Sequence, residues 1–378
     1  MTSGISAYFH LPFCRRRCHY CSFYSTAGRE SQIPAYVDAV IKEVELTCRT
    51  DSVLETIYFG GGTPSLFASS EIEKMISAVS KCYFISDNAE ITLEANPGTF
   101  DKEYLRLLHR TGVNRLSLGI QSLDDAELRL LGRNHSASDA LRSITYAKNA
   151  GFQNISLDFI YGVPYRALDR WNRMLDVIIG LGTEHLSLYG LTVEDGTSLD
   201  NAIKTGKVPA PDPDMAAAEY ELAVKKLAAS GYRQYEISNW ARPGAESRHN
   251  LAYWQRKEYI GLGAAAHSFI DGQRLANPDN LDEYMTALNQ GKLPNQSIET
   301  IDQNLALSET LFLGLRLCDG VSLDDIGRKF GIDLQNRFVQ EIAELSALQL
   351  IKVEDRYLKL TDSGRLLSNE VFIRFLPS

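Results

Sequence analysis

Long apolar runs are missing from this 378-residue sequence. No stretch approaches the roughly 18 uninterrupted apolar residues that mark a membrane-spanning helix. Residues 1 to 9 lack the basic start and long apolar core of a secretory signal. A basic excess is missing as well: 39 Lys and Arg stand against 48 Asp and Glu, leaving a net charge of −9. A general nucleic-acid binder carries the opposite footprint, so no nucleic-acid partner is expected. Cysteine is scarce, and half of what there is stands alone. Cys48, Cys82 and Cys318 are too isolated for a disulfide framework and read as small buried hydrophobes. These absences together predict a cytoplasmic protein without a transmembrane segment.

The other three cysteines are clustered. Cys14, Cys18 and Cys21 form C-x3-C-x2-C within eight residues, and no fourth cysteine is near. Grouped thiolates select zinc, copper or iron–sulphur over hard cations. A structural zinc wants four protein ligands, which His10 or His19 could complete. A [4Fe-4S] cluster held by three cysteines instead leaves one iron open for chemistry.

The rest of the chain alternates. Ile5 to Leu11 reads as a strand that delivers the chain into the cysteine loop, and Pro34 opens a helix to about Arg49. Glu55–Phe59 reads as a strand, and helices over 69–83, 101–111, 136–149 and 167–180 lead to strands over 89–95, 115–120, 154–160 and 185–191. Six strands alternating with helices predict an α/β fold with a parallel sheet. Periodicity alone separates a curved partial barrel from a flat doubly wound sheet poorly.

Polar or glycine-rich residues recur where these strands stop: Gly60 to Thr63, Glu94 to Pro97, Gln121 and Ser122, Asp158 and Tyr189. Ligands of parallel α/β folds gather at strand carboxyl ends, so one site is expected there. Gly60-Gly-Gly-Thr-Pro64 is neither a Walker A nor a dinucleotide fingerprint. Three glycines in a row make sense where backbone must come close to a ligand. Glu94 offers a carboxylate to an ammonium or ribose, Asp158 is an acid in an apolar strand that needs a partner, and Arg133 offers a rigid donor fork. Tyr189 and Leu191 are placed to flank a flat ring.

After residue 192 the rhythm changes. A proline-rich connection at Lys207–Pro213 precedes a helix to about Ser230. Tyr232–Trp240 reads as an edge strand, and a polar loop ends in His249-Asn-Leu-Ala-Tyr-Trp254. The small residues of Tyr259-Ile-Gly-Leu-Gly-Ala-Ala-Ala-His267 admit either close backbone packing or a bulky flat ligand. His249 is a candidate axial haem ligand, with His267 as the alternative. Residues 303–316, 322–330 and 334–348 read as helices, followed by a hairpin around Glu354-Asp355 and a last helix from about 362: a winged-helix shape. Its nine Lys and Arg against twelve Asp and Glu over 301–378 oppose DNA binding and favour a packing, lid or protein-contact role. The expected divisions are 1–191, 192–299 and 300–378.

These motifs in combination resemble the oxygen-independent coproporphyrinogen III oxidase family of radical S-adenosylmethionine proteins, and within it the haem chaperone branch. They are Tyr8-x-His10 before the cysteines, Gly60-Gly-Gly-Thr-Pro64, Glu94-Ala-Asn-Pro-Gly98, Gly119-Ile-Gln-Ser122, Gly132-Arg-Asn-His135 and His249-Asn-x-x-Tyr-Trp254. The resemblance implies a partial (β/α)6 barrel, an α+β extension and a C-terminal winged-helix-like domain. It implies a [4Fe-4S] cluster on Cys14, Cys18 and Cys21. It implies S-adenosylmethionine held by Tyr8, Gly61, Gly62, Thr63, Glu94, Gln121, Arg133, Asp158, Tyr189 and Leu191, and haem at His249.

The true oxidases carry a further cysteine where this chain has Phe23, and a longer N-terminal segment than the 13 residues before Cys14. Both differences turn the implied function from porphyrin decarboxylation toward a chaperone that hands haem to an acceptor protein. The alternative is a radical oxidoreductase acting on a porphyrin or another substrate through a 5'-deoxyadenosyl radical. Implied partners are the haem acceptor and a flavodoxin or ferredoxin electron donor. A homodimer and peripheral contact with membrane haemoproteins fit the same branch.

Overall fold

The computed structural model describes residues 4–377. Six parallel strands run in sequence order: β1 Gly4–Leu11, β2 Val53–Gly61, β3 Phe84–Ala95, β4 Arg115–Gln121, β5 Asn154–Tyr161 and β6 His185–Gly190. Each pairs with the next in parallel, with no reversal of order. Between them run α1 Ile33–Leu46, α2 Ser69–Cys82, α3 Lys102–Arg110, α4 Asp125–Leu130, α5 Ala137–Asn149 and α6 Leu168–Leu181. The short α4 has no counterpart among the expected helices.

Local chemistry sets the helix ends. Asp101 caps α3 through the Tyr104 amide, Ser136 and Asp139 form a reciprocal capping box on α5, and α6 stops at Gly182, whose φ of 63° suits glycine. The expected start of α1 shifts to Ile33, with Pro34 still in its first turn, where a missing amide hydrogen costs nothing.

Curvature follows from contacts across the sheet. Six flat strands at 4.7–4.9 Å spacing would separate β1 from β6 by roughly 24 Å. Instead the His19 carbonyl, in the loop after β1, accepts from the Leu199 amide in the segment after β6 at 2.8 Å. The sheet is therefore curved, a partial barrel whose first and sixth parallel strands are not paired with each other.

Flanking strands widen the sheet. Tyr259–Leu262 pairs parallel with β1, making a seventh parallel strand, and leads antiparallel to His267–Ile270, Gln273–Ala276 and Ser297–Thr300. Beyond β6 lies a hairpin of Arg233–Glu236 and Asn239–Ala241, so the single edge strand expected over 232–240 is two. The small residues before His267 serve close packing. A Cβ on Gly261 would lie 1.9 Å from the His267 carbonyl oxygen, and one on Gly263 2.5 Å from that of His10. One apolar core runs from Ile5 to Leu288.

A second core joins residues between Leu307 and Phe375. There Val321–Ser322, Tyr357–Leu360 and Ile351–Glu354 form a three-stranded antiparallel sheet against helices, the wing of the expected winged helix. The helix expected over 334–348 breaks at Phe338. Cys48 departs from the buried reading: its side chain is exposed, and its Sγ donates to the Cys82 carbonyl at 3.5 Å. It follows the last turn of α1, past the face that packs on the sheet. No helix among the described residues is long and apolar enough to cross a membrane.

Candidate functional site

A cavity of about 550 Å³ opens at the carboxyl ends of the parallel strands. Its mouth is the loop carrying Cys14, Cys18 and Cys21, and its lining includes Gly61, Gly62, Thr63, Glu94, Gln121, Arg133, Asp158, Tyr189 and Leu191. Alternation along each strand explains the grouping, because every second residue faces inward. Ser117, Gly119 and Gln121 share one face of β4, as Glu94 and Asn96 do at the end of β3. Gln121 has φ 66°, outside the ordinary range for a residue with a Cβ, and this twist ends β4 at the cavity.

The cysteine loop is tied down from several sides. Cys14 Sγ lies 3.4 Å from Thr63 Oγ1, and Arg133 Nη1 donates to Cys18 Sγ at 3.4 Å. The His19 amide donates to the Leu131 carbonyl at 3.0 Å. Gly132 makes this approach feasible: its φ is 73°, and a Cβ there would lie 2.6 Å from the His19 ring. Burial raises the pKa of the Cys14 and Cys21 thiols, with Thr63 opposing the shift at Cys14.

Neither histidine that could complete a tetrahedral zinc has both ring nitrogens free. The His10 ring is hydrogen-bonded to the Tyr8 hydroxyl and the Tyr24 carbonyl at 3.0 Å each. His19 Nδ1 is taken by the Leu130 carbonyl at 2.9 Å, and its Nε2 lies 3.4 Å from Arg16. Among the described residues no three His, Cys, Asp or Glu close around a single ion. Three thiols at one cavity mouth form a soft donor set.

Two carboxylates form the floor. Glu94 accepts from the Tyr58 hydroxyl at 2.9 Å and the Gly61 amide at 3.2 Å. Burial pushes its pKa up to about 7, with Asp158 adding and Tyr58 opposing. Asp158 accepts from Ser117 Oγ at 2.9 Å and Ser156 Oγ at 3.1 Å. Burial raises its pKa, and the serines hold it back. Such a floor suits a cationic ligand bearing hydroxyls.

Several placements differ from expectation. Tyr8 stands one layer behind the lining, its ring 6.1 Å from Tyr58, because Gly60 and Tyr58 come between it and the cavity. The glycine run answers mainly to the chain itself. A Cβ on Gly61 would meet the His10 ring at 2.7 Å, and one on Gly62 the Phe13 carbonyl oxygen at 2.7 Å. Both Arg133 Nη groups are engaged, with Cys18, with Asn96 Oδ1 and with the Gly119 carbonyl, so its fork binds the loops together. Ser122 turns away to Glu127 at 2.5 Å and does not line the cavity.

His249 is not in a loop. It lies in the helix Arg248–Trp254 and is 1% exposed. Nδ1 is 2.7 Å from Thr56 Oγ1, Nε2 is 3.0 Å from the Tyr253 hydroxyl, and the ring stacks on Tyr58 at 4.9 Å. Burial and the nearby Arg115 push its pKa down to about 3. Both nitrogens are therefore occupied behind the cavity wall. His267 is exposed. Asn96 lies within the expected strand-end group Glu94 to Pro97, whereas Tyr58 and Ser117 carry no sequence signal beyond inward alternation with Gly60 and Gln121.

Comparison with known proteins agrees with this geometry. The description "Radical SAM superfamily" matches residues 8–178, and "HemN C-terminal domain" matches 301–367. The "Heme chaperone HemW" of Bacillus subtilis (strain 168) is 36% identical over 374 residues, covering 98% of this chain and 99% of that protein. The mitochondrial "Radical S-adenosyl methionine domain-containing protein 1" of Mus musculus is 36% identical over 387 residues, covering 98% of this chain and 87% of that one. In solved structures the fold matches coproporphyrinogen III oxidase (HemN) from Escherichia coli, with a TM-score of 0.86 at 22% identity over 99% of this chain and 90% of that chain. A parallel barrel with three clustered thiols at its mouth, a HemN-type C-terminal module and full-length likeness to these relatives place the chain in the HemW/HemN family of the radical SAM superfamily.

Proposed function

We propose that this protein is a haem chaperone that carries a [4Fe-4S] cluster and S-adenosylmethionine, binds haem and passes it to an acceptor protein. The observation that carries the reading is likeness along the whole chain to a protein named as a heme chaperone. Phe23, 68% exposed where the oxidases have a fourth cysteine, supports it.

Cys14, Cys18 and Cys21 would hold the cluster. Gly61, Gly62, Thr63, Glu94, Gln121, Asp158, Tyr189 and Leu191 line the space for S-adenosylmethionine, while Tyr8 supports Tyr58 from behind. When bound, the two groups supply one-electron chemistry at the sulfonium. The chain itself orients the ligand with two floor carboxylates, keeps the thiols in a half-buried loop and closes the back of the cavity with Tyr58 and His249. Haem ligation by His249 would require its ring to leave Thr56 and Tyr253. A cytoplasmic site of action, a flavodoxin or ferredoxin donor, a homodimer and peripheral contact with membrane haemoproteins belong to the same proposal.

The test is a haem titration of the reconstituted protein, His249→Ala and His267→Ala, followed by absorbance and by transfer to an apo-acceptor. Stoichiometric binding with transfer supports the chaperone. No haem binding together with conversion of coproporphyrinogen III refutes it. The floor of Glu94 and Asp158 serves equally the alternative reading, a radical oxidoreductase. Release of methionine and 5'-deoxyadenosine after reduction, with loss of hydrogen from an added porphyrin substrate, would identify that reading.

A further inference from the structure

The cysteine loop adds residues to the cavity lining for which the ligand assignments above give no role. Arg15, Arg16 and Arg17 fill the interval between Cys14 and Cys18, and all three side chains are exposed. Among the described residues none of them pairs with a carboxylate, whereas Arg29 and Arg49 elsewhere pair with Asp282 and Asp271. Each is held by one end. Arg15 Nη1 donates to the Gly98 carbonyl at 3.2 Å, Arg17 Nε donates to the Cys21 carbonyl at 3.1 Å, and Arg16 Nη2 lies 3.4 Å from His19 Nε2. The remaining N–H groups have no hydrogen-bond partner among the described residues and sit on partly fixed side chains, which lowers the ordering cost of a contact. Beside them Phe23 exposes 68% of its surface. Arginine next to an exposed aromatic is the composition that protein interfaces favour at their centres.

We propose that Arg15, Arg16, Arg17 and Phe23 form the docking surface for a small acidic protein that donates single electrons. This rests on the assignment of Cys14, Cys18 and Cys21 as cluster ligands. A local charge of three on a chain of net charge −9 is complementary to a compact acidic partner. It is a poor match for an extended polyanion, which would meet the acidic surface beyond the patch. A donor seated here rests against the loop that holds all three thiols. One electron leaves the donor and enters the metal site, and no bond or proton is exchanged.

The experiment follows bleaching of the reconstituted full-length protein by stopped-flow absorbance, with reduced flavodoxin as the donor and dithionite as a chemical control. For the unmodified protein the flavodoxin rate falls at least tenfold as ionic strength rises from low to high. A flat or rising rate overturns the proposal without any variant. Arg15→Glu/Arg16→Glu/Arg17→Glu lowers the flavodoxin rate at low salt 10- to 100-fold and removes the salt dependence, while dithionite still bleaches it to the unmodified end point. Arg16→Glu alone, the least anchored of the three, lowers the rate severalfold and serves if the triple variant fails to assemble. Phe23→Ser slows flavodoxin reduction and keeps the salt slope. An unchanged flavodoxin rate in the charge-reversed protein overturns the docking surface, as does loss of haem binding with the donor rate kept, which would assign the arginines to haem. If dithionite bleaches neither protein, the cluster assignment fails instead.

Discussion

Replacing Gly62 with alanine tests whether the glycine run exists to bring two chain segments together. The Gly62 amide donates to the Leu11 carbonyl at 2.9 Å, so the segment after β2 lies directly on the entry to the cysteine loop. A Cβ there would be 2.7 Å from the Phe13 carbonyl oxygen and 2.8 Å from the Pro12 carbonyl carbon. Both are backbone atoms, so no rotamer change relieves the overlap. Reaching ordinary contact at 3.4 Å means moving one segment by at least about 0.7 Å. Overpacking of that kind costs about 1–3 kcal/mol. Gly62 has an ordinary φ, so backbone strain does not contaminate the measurement. Gly28→Ala is the matched control: its φ is 75° but nothing lies within 4 Å of the new methyl. It costs about 1 kcal/mol in conformational strain and moves nothing. Urea denaturation of the metal-free proteins measures the two costs, and iron per chain after reconstitution measures the displacement. Gly62→Ala should lose both stability and iron, and Gly28→Ala stability alone. Gly62→Ala with unmodified stability and full iron would refute the close-approach account.

Further outcomes follow from the buried polar groups. Glu43, 1% exposed, accepts from Tyr284 at 2.5 Å, Gly263 at 2.8 Å and Asn277 at 2.6 Å, and burial pushes its pKa up to about 7. An acid whose folded pKa is raised favours the folded state below its unfolded pKa of 4.5, and that advantage drains away as pH rises to about 7. Its contribution to the fall is about 3 kcal/mol, visible as a steeper stability–pH slope in the unmodified protein than in Glu43→Gln; parallel urea curves would refute it. Glu94 titrates in the same range with the opposite consequence for ligand. S-adenosylmethionine affinity should rise about tenfold from pH 6 to 8 in calorimetry, and Glu94→Gln should flatten that rise. Tyr253→Phe leaves His249 Nε2 without its partner, at a cost of about 1–3 kcal/mol in thermal or urea unfolding. If His249 ligates haem, the same change should speed haem uptake by freeing the nitrogen. Arg133→Ala removes the donor to Cys18 and the tie between the Asn96 and Gly119 strands, so iron retention should drop with little effect on global unfolding of the metal-free chain.

Much of the architecture was readable because its signals are local. Strands β2 to β6 announce themselves by apolar runs, and their ends by glycine, carboxylate or amide residues that alternate inward. The winged shape of the C-terminal residues followed from helix lengths and a turn at Asp355. Less was readable where the deciding neighbour is remote. Residues 232–240 look like one strand until Asn239 to Ala241 finds β6 as an antiparallel partner. Cys48 looks like a core residue until α1 is seen to end before it.

By itself, the sequence determined the three-thiolate loop, the alternating α/β order and the gathering of polar residues at strand ends. Each of those depends on spacing within a few residues, and spacing is preserved in any folded form of the chain. Only the tertiary structure decided which of those residues face the cavity. Tyr8 is screened by Tyr58 and Gly60, Arg133 spends its fork on the cysteine loop, and His249 is enclosed by Thr56, 193 positions away. Phe23 and three arginines are left exposed at the mouth. Curvature of the sheet fixes these outcomes, because it brings segments distant in sequence to within hydrogen-bonding range, and local periodicity carries no information about that.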